Sequence, residues 1–147
     1  MSRGLTLKVA GIHHLTLRSQ DPDAARRFYE NVVGLEFREI PVSSETTAIW
    51  RGAPARGVLL VTQAGNTSVI IAPPLEGTAA DDRFSEYRIG LDHLAFAVED
   101  RAELDSLVER LRSAGVDTEG VERDALLGKP YVAFRDPDNV QCEAFLT

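Results

Sequence analysis

Three side chains have the types and positions to hold a divalent metal: His14, His93 and Glu143. Two imidazoles and a carboxylate bind Zn, Mn, Fe or Ni and leave coordination positions open for water or substrate. The histidines occupy the same place in a repeat. Gly11-Ile12-His13-His14-Leu15-Thr16-Leu17 and Gly90-Leu91-Asp92-His93-Leu94-Ala95-Phe96 are both Gly-x-x-His-apolar-x-apolar, 79 residues apart in a chain of 147. Self-similarity at about half the chain length signals two copies of one structural unit.

Each copy alternates as a half-buried strand does. If Leu15 and Leu17 face the core, His14 and Thr16 face the other side and His13 falls with the leucines. If Leu94, Phe96 and Val98 pack inward, His93 shares the opposite face with Ala95 and Ala97, small residues that leave room for a cavity. In the last strand Gln141, Glu143 and Phe145 share one face, and Cys142 and Ala144 the other. A lone strand histidine is more often structural and a strand glutamate more often solvent-exposed; the repeat is what favours ligands. A register slip of one residue would put His13 in the place of His14.

A helical pattern follows each strand. In the first, Asp21 can cap, Pro22 takes the first helical position, and Ala25, Phe28, Tyr29 and Val32 lie on one face up to a stop at Gly34. In the second, Asp100 and Glu103 have capping-box spacing, Leu104, Leu107, Val108 and Leu111 form the buried stripe, and Gly115 ends it. Strand-like segments follow at 35–40, 46–51, 58–62 and 67–72, then at 116–121, 131–135 and 140–145. Residues 73–87, with two prolines, read as the linker. The expected architecture is two strand–helix–strand–strand–strand modules that pack together, since neither has enough core alone. A ferredoxin-like sandwich also repeats strand–helix–strand but needs fewer strands than each half supplies.

Composition narrows the function. Sixteen basic against 23 acidic residues leave a net charge of −7, with no basic surplus to displace counterions from nucleic acid or an anionic membrane. The single cysteine, Cys142, excludes an internal disulfide and fits a reducing cytoplasm. It alternates away from Glu143 and reads as a core thiol rather than a nucleophile. The start lacks an apolar stretch of signal-peptide length, and the longest aliphatic runs are too short to span a bilayer. No nucleophile elbow, phosphate-binding glycine loop or CxxC pair is present.

The stretch Gly-x-x-His-x-x-Leu, followed by Asp-Pro-Asp-Ala-Ala-Arg-Arg-Phe-Tyr-Glu-Asn-Val-Val-Gly-Leu-Glu, resembles the opening of vicinal oxygen chelate proteins. That superfamily holds glyoxalase I, fosfomycin-resistance enzymes, methylmalonyl-CoA epimerase, extradiol dioxygenases and bleomycin-resistance proteins. The ending, Phe134-Arg135-Asp136-Pro137-Asp138-Asn139-Val140-Gln141-Cys142-Glu143, is similar to the superfamily's Asp-Pro-Asp-Gly-Asn-x-x-Glu strand. Asn139 stands where the family has glycine, and asparagine still tolerates a left-handed turn.

The resemblance implies an α+β fold in which two βαβββ modules form an open, cup-shaped barrel around one divalent metal. The chain is then a single domain over 1–147, with module 1 at about 8–73, a linker at about 74–88 and module 2 at about 89–147. By position the ligands are His14, His93 and Glu143. Glyoxalase I and the epimerase are expected to draw a fourth ligand from the last strand of the first module, where this chain is aliphatic, so that pattern is missing. The acid–base tyrosine of dioxygenases is expected at the place of Ala133; Tyr131 is two residues away on the same face. No phosphonate clamp or potassium loop of the fosfomycin enzymes is evident. Tyr131 as a catalytic group, and Thr16 and Gln141 as substrate contacts, are the remaining site expectations; Trp50, Phe84 and Phe145 read first as core. The resemblance further implies a small-molecule substrate and a homodimer, with no nucleic-acid or membrane partner. The alternative is a metal-free, bleomycin-resistance-like protein that sequesters a small molecule.

Overall fold

A computed structural model describes residues 7–42 and 57–147; the expected strand at 46–51 and Trp50 lie outside the described residues. The first half runs β1 (His14–Arg18), α1 (Pro22–Phe28) with a π-helical turn at Tyr29–Val33, β2 (Arg38–Pro41), β3 (Val58–Ala64) and β4 (Thr67–Ala72). The second runs β5 (Leu94–Val98), α2 (Arg101–Ser113), β6 (Val121–Arg123), β7 (Pro130–Arg135) and β8 (Gln141–Leu146). Among the described residues each half is therefore βαβββ and folds into a four-stranded sheet, in the orders β1-β4-β3-β2 and β5-β8-β7-β6. β1 pairs with β4, and β5 with β8, in parallel; the other pairs are antiparallel. Among the described residues no helix is long and apolar enough to cross a membrane.

Local chemistry explains the element ends. Asp21 Oδ1 accepts the Ala24 N–H at 3.1 Å, with Pro22 at the first helical position. Asp100 caps α2 through the Ala102 N–H at 2.9 Å. β2 begins at Arg38 rather than 35 because side chains of α1 and of its π-helical turn take the backbone of Phe37. Glu30 accepts its N–H at 3.2 Å, and Arg26 donates to its carbonyl at 3.2 Å. The segment expected as a strand at 116–121 shrinks to 121–123 because the Thr118 hydroxyl claims ladder groups. It accepts the Gly120 N–H and donates to the Ala133 carbonyl, both at 3.1 Å.

One hydrophobic cluster joins the halves. It contains Leu17, Leu60 and Ile71 from the first sheet, Val132, Phe134, Cys142 and Ala144 from the second, and the apolar faces of both helices. Phe28 packs on Phe134 with ring centroids 5.9 Å apart. In the π-helical turn, Gly34 and Leu35 both donate to the Tyr29 carbonyl, and Gly34 leaves left-handed at φ 96°. Tyr29, 1% exposed, donates its hydroxyl to Asp136 Oδ2 at 2.7 Å and lies 3.5 Å from Cys142 Sγ. Burial raises the Tyr29 pKa above its ordinary value, with Cys142 and Asp136 adding to it. Burial likewise lifts the Asp136 carboxyl. Asp136 Oδ1 accepts the N–H groups of Asp138 and Val140, both at 2.9 Å, and Asn139 turns the chain at φ 69°.

Two stability predictions follow from these contacts. Tyr29→Phe leaves a buried carboxyl short of one donor and lowers the unfolding free energy by about 1–3 kcal/mol in urea denaturation; no measurable change would remove this bond from the core account. The second concerns Glu86, which meets Arg135 at 2.6 and 3.0 Å and is held at a pKa of about 2, chiefly by that side-chain bond. A carboxyl depressed in the folded state stabilises above its unfolded pKa and loses that contribution as pH falls. The stability gap between wild type and Glu86→Gln is thus expected to be full at about pH 6 and to close on acidification toward about pH 2. Urea midpoints of both proteins across that range check it.

Candidate metal centre

β8 lies between β5 and β7, where Glu143 pairs with Ala95 on one side and Ala133 on the other. Neighbours in register point to one face of the sheet, so Glu143 rises between two alanines. Just before β5, His93 brings Nε2 to 3.6 Å from Glu143 Oε2. Two donors each about 2.1 Å from one ion lie roughly 3–3.5 Å apart, so this pair has the spacing of adjacent ligands. Asp92 Oδ1 sits 2.6 Å from the other ring nitrogen, Nδ1, and so orients the imidazole as carboxylates behind metal-bound histidines do. That Asp92 bond, with Glu143 and Asp92 charge behind it, raises the His93 pKa.

The first sheet repeats the geometry without the carboxylate. Thr16 pairs with Ile70 as Ala95 pairs with Glu143, so Ile70 occupies the position where a fourth ligand would stand. His14 pairs with Ser68, and its exposed ring meets His13, Nδ1 to Nδ1 at 3.0 Å, with the rings edge to face. One nitrogen of that pair must donate and the other accept. His13 precedes the strand and is exposed rather than packed with the leucines. Among the described residues no three His, Cys, Asp or Glu side chains gather at metal-binding distance. The structure thus brings His93 and Glu143 together and leaves His14 outside that pair. The donor chemistry of the pair fits a divalent ion.

The other expected residues are placed as follows. Tyr131 shares the Glu143 face and stacks on Phe145, centroids 6.0 Å apart at 19°. Burial, and then Glu122, raise its pKa. Gln141 Oε1 accepts from Arg135 at 2.9 Å, so it is tied to the Arg135–Glu86 pair. Cys142 is buried, its thiol pushed up to about 12 by burial, which suits an inert core residue. Thr16 lines a cavity of about 350 Å³ together with Arg83 and Arg88 of the inter-module segment. The sequence reading passed over those two arginines. Their only signal was charge in a segment otherwise read as a spacer, and folding alone brings them to β1.

Residues 11–144 match the Glyoxalase/Bleomycin resistance protein/Dioxygenase superfamily. The Bacillus subtilis (strain 168) protein YwkD, itself uncharacterised, is 30% identical over 140 residues, covering 91% of this chain and 94% of that protein. A glyoxylase/bleomycin resistance protein/dioxygenase domain from Frankia sp. EAN1pec is similar in structure, with a TM-score of 0.72 and 30% identity over 95% of this chain and 98% of that one. A glyoxalase family protein from Enterococcus faecalis aligns with a TM-score of 0.66 and 27% identity over 92% and 97% of the two chains. With its paired βαβββ halves and a match that spans both, the chain belongs to the glyoxalase/bleomycin resistance protein/dioxygenase superfamily.

Proposed function

We propose that this chain is a metal-dependent enzyme that acts on a small oxygenated molecule chelated through adjacent oxygens, with His14, His93 and Glu143 as the metal ligands. The observation that carries the reading is the 3.6 Å approach of His93 Nε2 to Glu143 Oε2, with Asp92 fixed behind the ring. A bound divalent ion supplies Lewis-acid stabilisation of negative charge developing on a substrate oxygen. With its proton held at Nδ1 by Asp92, His93 presents a lone pair at Nε2. His14 joins from the first sheet by exchanging its His13 hydrogen bond for the ion. Glu143, as a ligand, does not act as the base. Tyr131 keeps its proton at neutral pH and serves as a hydrogen-bond donor at the rim. Thr16 and Gln141 are substrate contacts. Ile70 makes the wall apolar where glyoxalase I carries a ligand, which favours three-ligand chemistry: a lyase or isomerase, a hydrolase or thiol transferase, or a dioxygenase.

The reading includes a homodimer in a reducing cytoplasm. Leu7, Val9 and Ile12 ahead of β1, and Tyr87, Ile89 and Leu91 ahead of β5, are exposed apolar residues. Large apolar side chains exposed ahead of the equivalent strand in both halves support a partner surface there. Light scattering behind size exclusion is expected to give twice the chain mass, and a monomer at micromolar concentration would contradict it.

The decisive experiment offers Mn, Fe, Zn and Ni in turn to chelator-treated protein and measures bound metal. About one ion per chain is expected in the wild type. His14→Ala, His93→Ala and Glu143→Ala are expected to lose it, and Asp92→Asn to weaken affinity by about 10–100-fold. Iron then points to oxygen uptake, and Mn, Zn or Ni to the other reactions. Wild type and Glu143→Ala equally empty would overturn the proposal and leave a sequestering protein. Metal retained in His14→Ala would remove His14 from the set.

A further inference from the structure

The proposed ligand set is divided between two open faces of one chain. On the second sheet, Ala95 and Ala97 share the face of Glu143, and both are exposed. On the first sheet, His14 and Thr16 are exposed as well. A sheet laid over either face would cover those side chains. The two donor faces therefore look out to solvent and not at each other, and among the described residues no third ligand joins His93 and Glu143.

The fold holds these faces where they are. Ahead of His14, the Thr67 hydroxyl donates to the Ile12 carbonyl at 2.8 Å and the Ser68 N–H to that of His13 at 3.0 Å, which ties the start of β1 to its own sheet. Between the halves, Tyr29 donates to Asp136 at 2.7 Å, the Gln20 N–H to Asp138 at 2.8 Å, and Arg110 Nε to the Val32 carbonyl at 2.7 Å. Swinging one sheet over the other within a chain would break these bonds and open the shared core.

A second copy carries what each face lacks. Among the described residues β1 and β5 are edge strands, and they lie in separate sheets. Edge strands leave backbone groups open to another chain. Each is preceded by exposed apolar residues, Leu7, Val9 and Ile12 before β1 and Tyr87, Ile89 and Leu91 before β5. Under a twofold axis, any contact of β1 on one copy with β5 on the other is made a second time in reverse. One such interface covers both edges and both apolar flanks.

We propose that the metal centre is completed between two copies of this chain, with His14 from one protomer and His93 and Glu143 from its partner, across a contact of β1 with β5. This rests on the metal-chelate reading and names the partner of that site. His14 leaves its bond to His13 for an ion held on the neighbouring molecule, and the twofold axis makes two such centres in each dimer. A single chain carries every ligand and completes no site.

The test co-expresses full-length chains under two different tags and isolates the heterodimer through both. The heterodimer is stripped with chelator, offered Mn, Fe, Zn and Ni in turn, and its bound metal counted. In the first pair one chain carries His14→Ala and the other Glu143→Ala. Sharing leaves one complete ligand set, so about one ion per heterodimer is expected, half the wild-type content, whereas a centre within one chain leaves none. In the second pair a wild-type chain meets a His14→Ala/Glu143→Ala chain. Sharing then leaves no complete set, and a centre within one chain leaves one. Because both pairs contain the same two substitutions, a folding defect does not produce the expected difference. A first pair that binds no more metal than the second, with wild type loaded, overturns the proposal, as does a wild type that binds metal as a monomer. Wild type empty of every metal is a separate result: it removes the metal-chelate reading, and the shared centre falls with it.

Discussion

A buried carboxylate must be given donors, and the way this chain supplies them to Asp136 organises much of the molecule. Two come from its own turn, the N–H groups of Asp138 and Val140, and the third is the Tyr29 hydroxyl from the other half of the chain. Closing that turn, with Asn139 in the left-handed region, fixes where β8 begins. Because side chains alternate with a period of two, the starting point decides that Cys142 enters the core and Glu143 leaves it. The adjacent Asp138 reaches the backbone at the end of β1. One polar node thereby sets the register of the proposed ligand strand and anchors the strand that follows His14.

The two halves have kept their topology and diverged in chemistry. Where the second half has Glu143, the first has Ile70, and where the second has Asp92 behind its histidine, the first has His13. The second half therefore holds an oriented imidazole and carboxylate side by side, whereas the first offers an imidazole held by its neighbour. The same one-sidedness appears in the core. Eight residues beyond each helix cap stands Tyr29 in one half and Val108 in the other, and the tight Gly65-Asn66 turn offers no counterpart to the Asp136 node.

What could be read from the chain was whatever local chemistry decides. The repeated Gly-x-x-His strands, the caps at Asp21 and Asp100, the stops at Gly34 and Gly115 and the span of β4 were legible, because each depends on residues within a few positions. The face of Glu143 was legible because alternation is strict. The late start of β2 was not, since it depends on Arg26 and Glu30 reaching forward to Phe37. Nor was the shortened β6, which depends on one threonine hydroxyl. The cavity beside β1 escaped because its parts, Ser19, Arg83 and Asp138, meet only when segments far apart in sequence converge. The position of His14 relative to His93 and Glu143 depends likewise on how two sheets meet, which no local pattern encodes.

The helix of one half that completes the turn of the other carries an evolutionary consequence. A module too small to fold alone can duplicate into two like copies that cover each other's apolar faces, and while the copies remain alike either can stand in for the other. Once Tyr29 left its own half to serve Asp136, and Phe28 came to rest on Phe134, a lone second half would keep a dehydrated acid without its donor and a bare aromatic surface. A lone first half would be left with a phenol aimed at solvent. The duplication has become a ratchet: the copies can go on specialising, but neither can now be discarded.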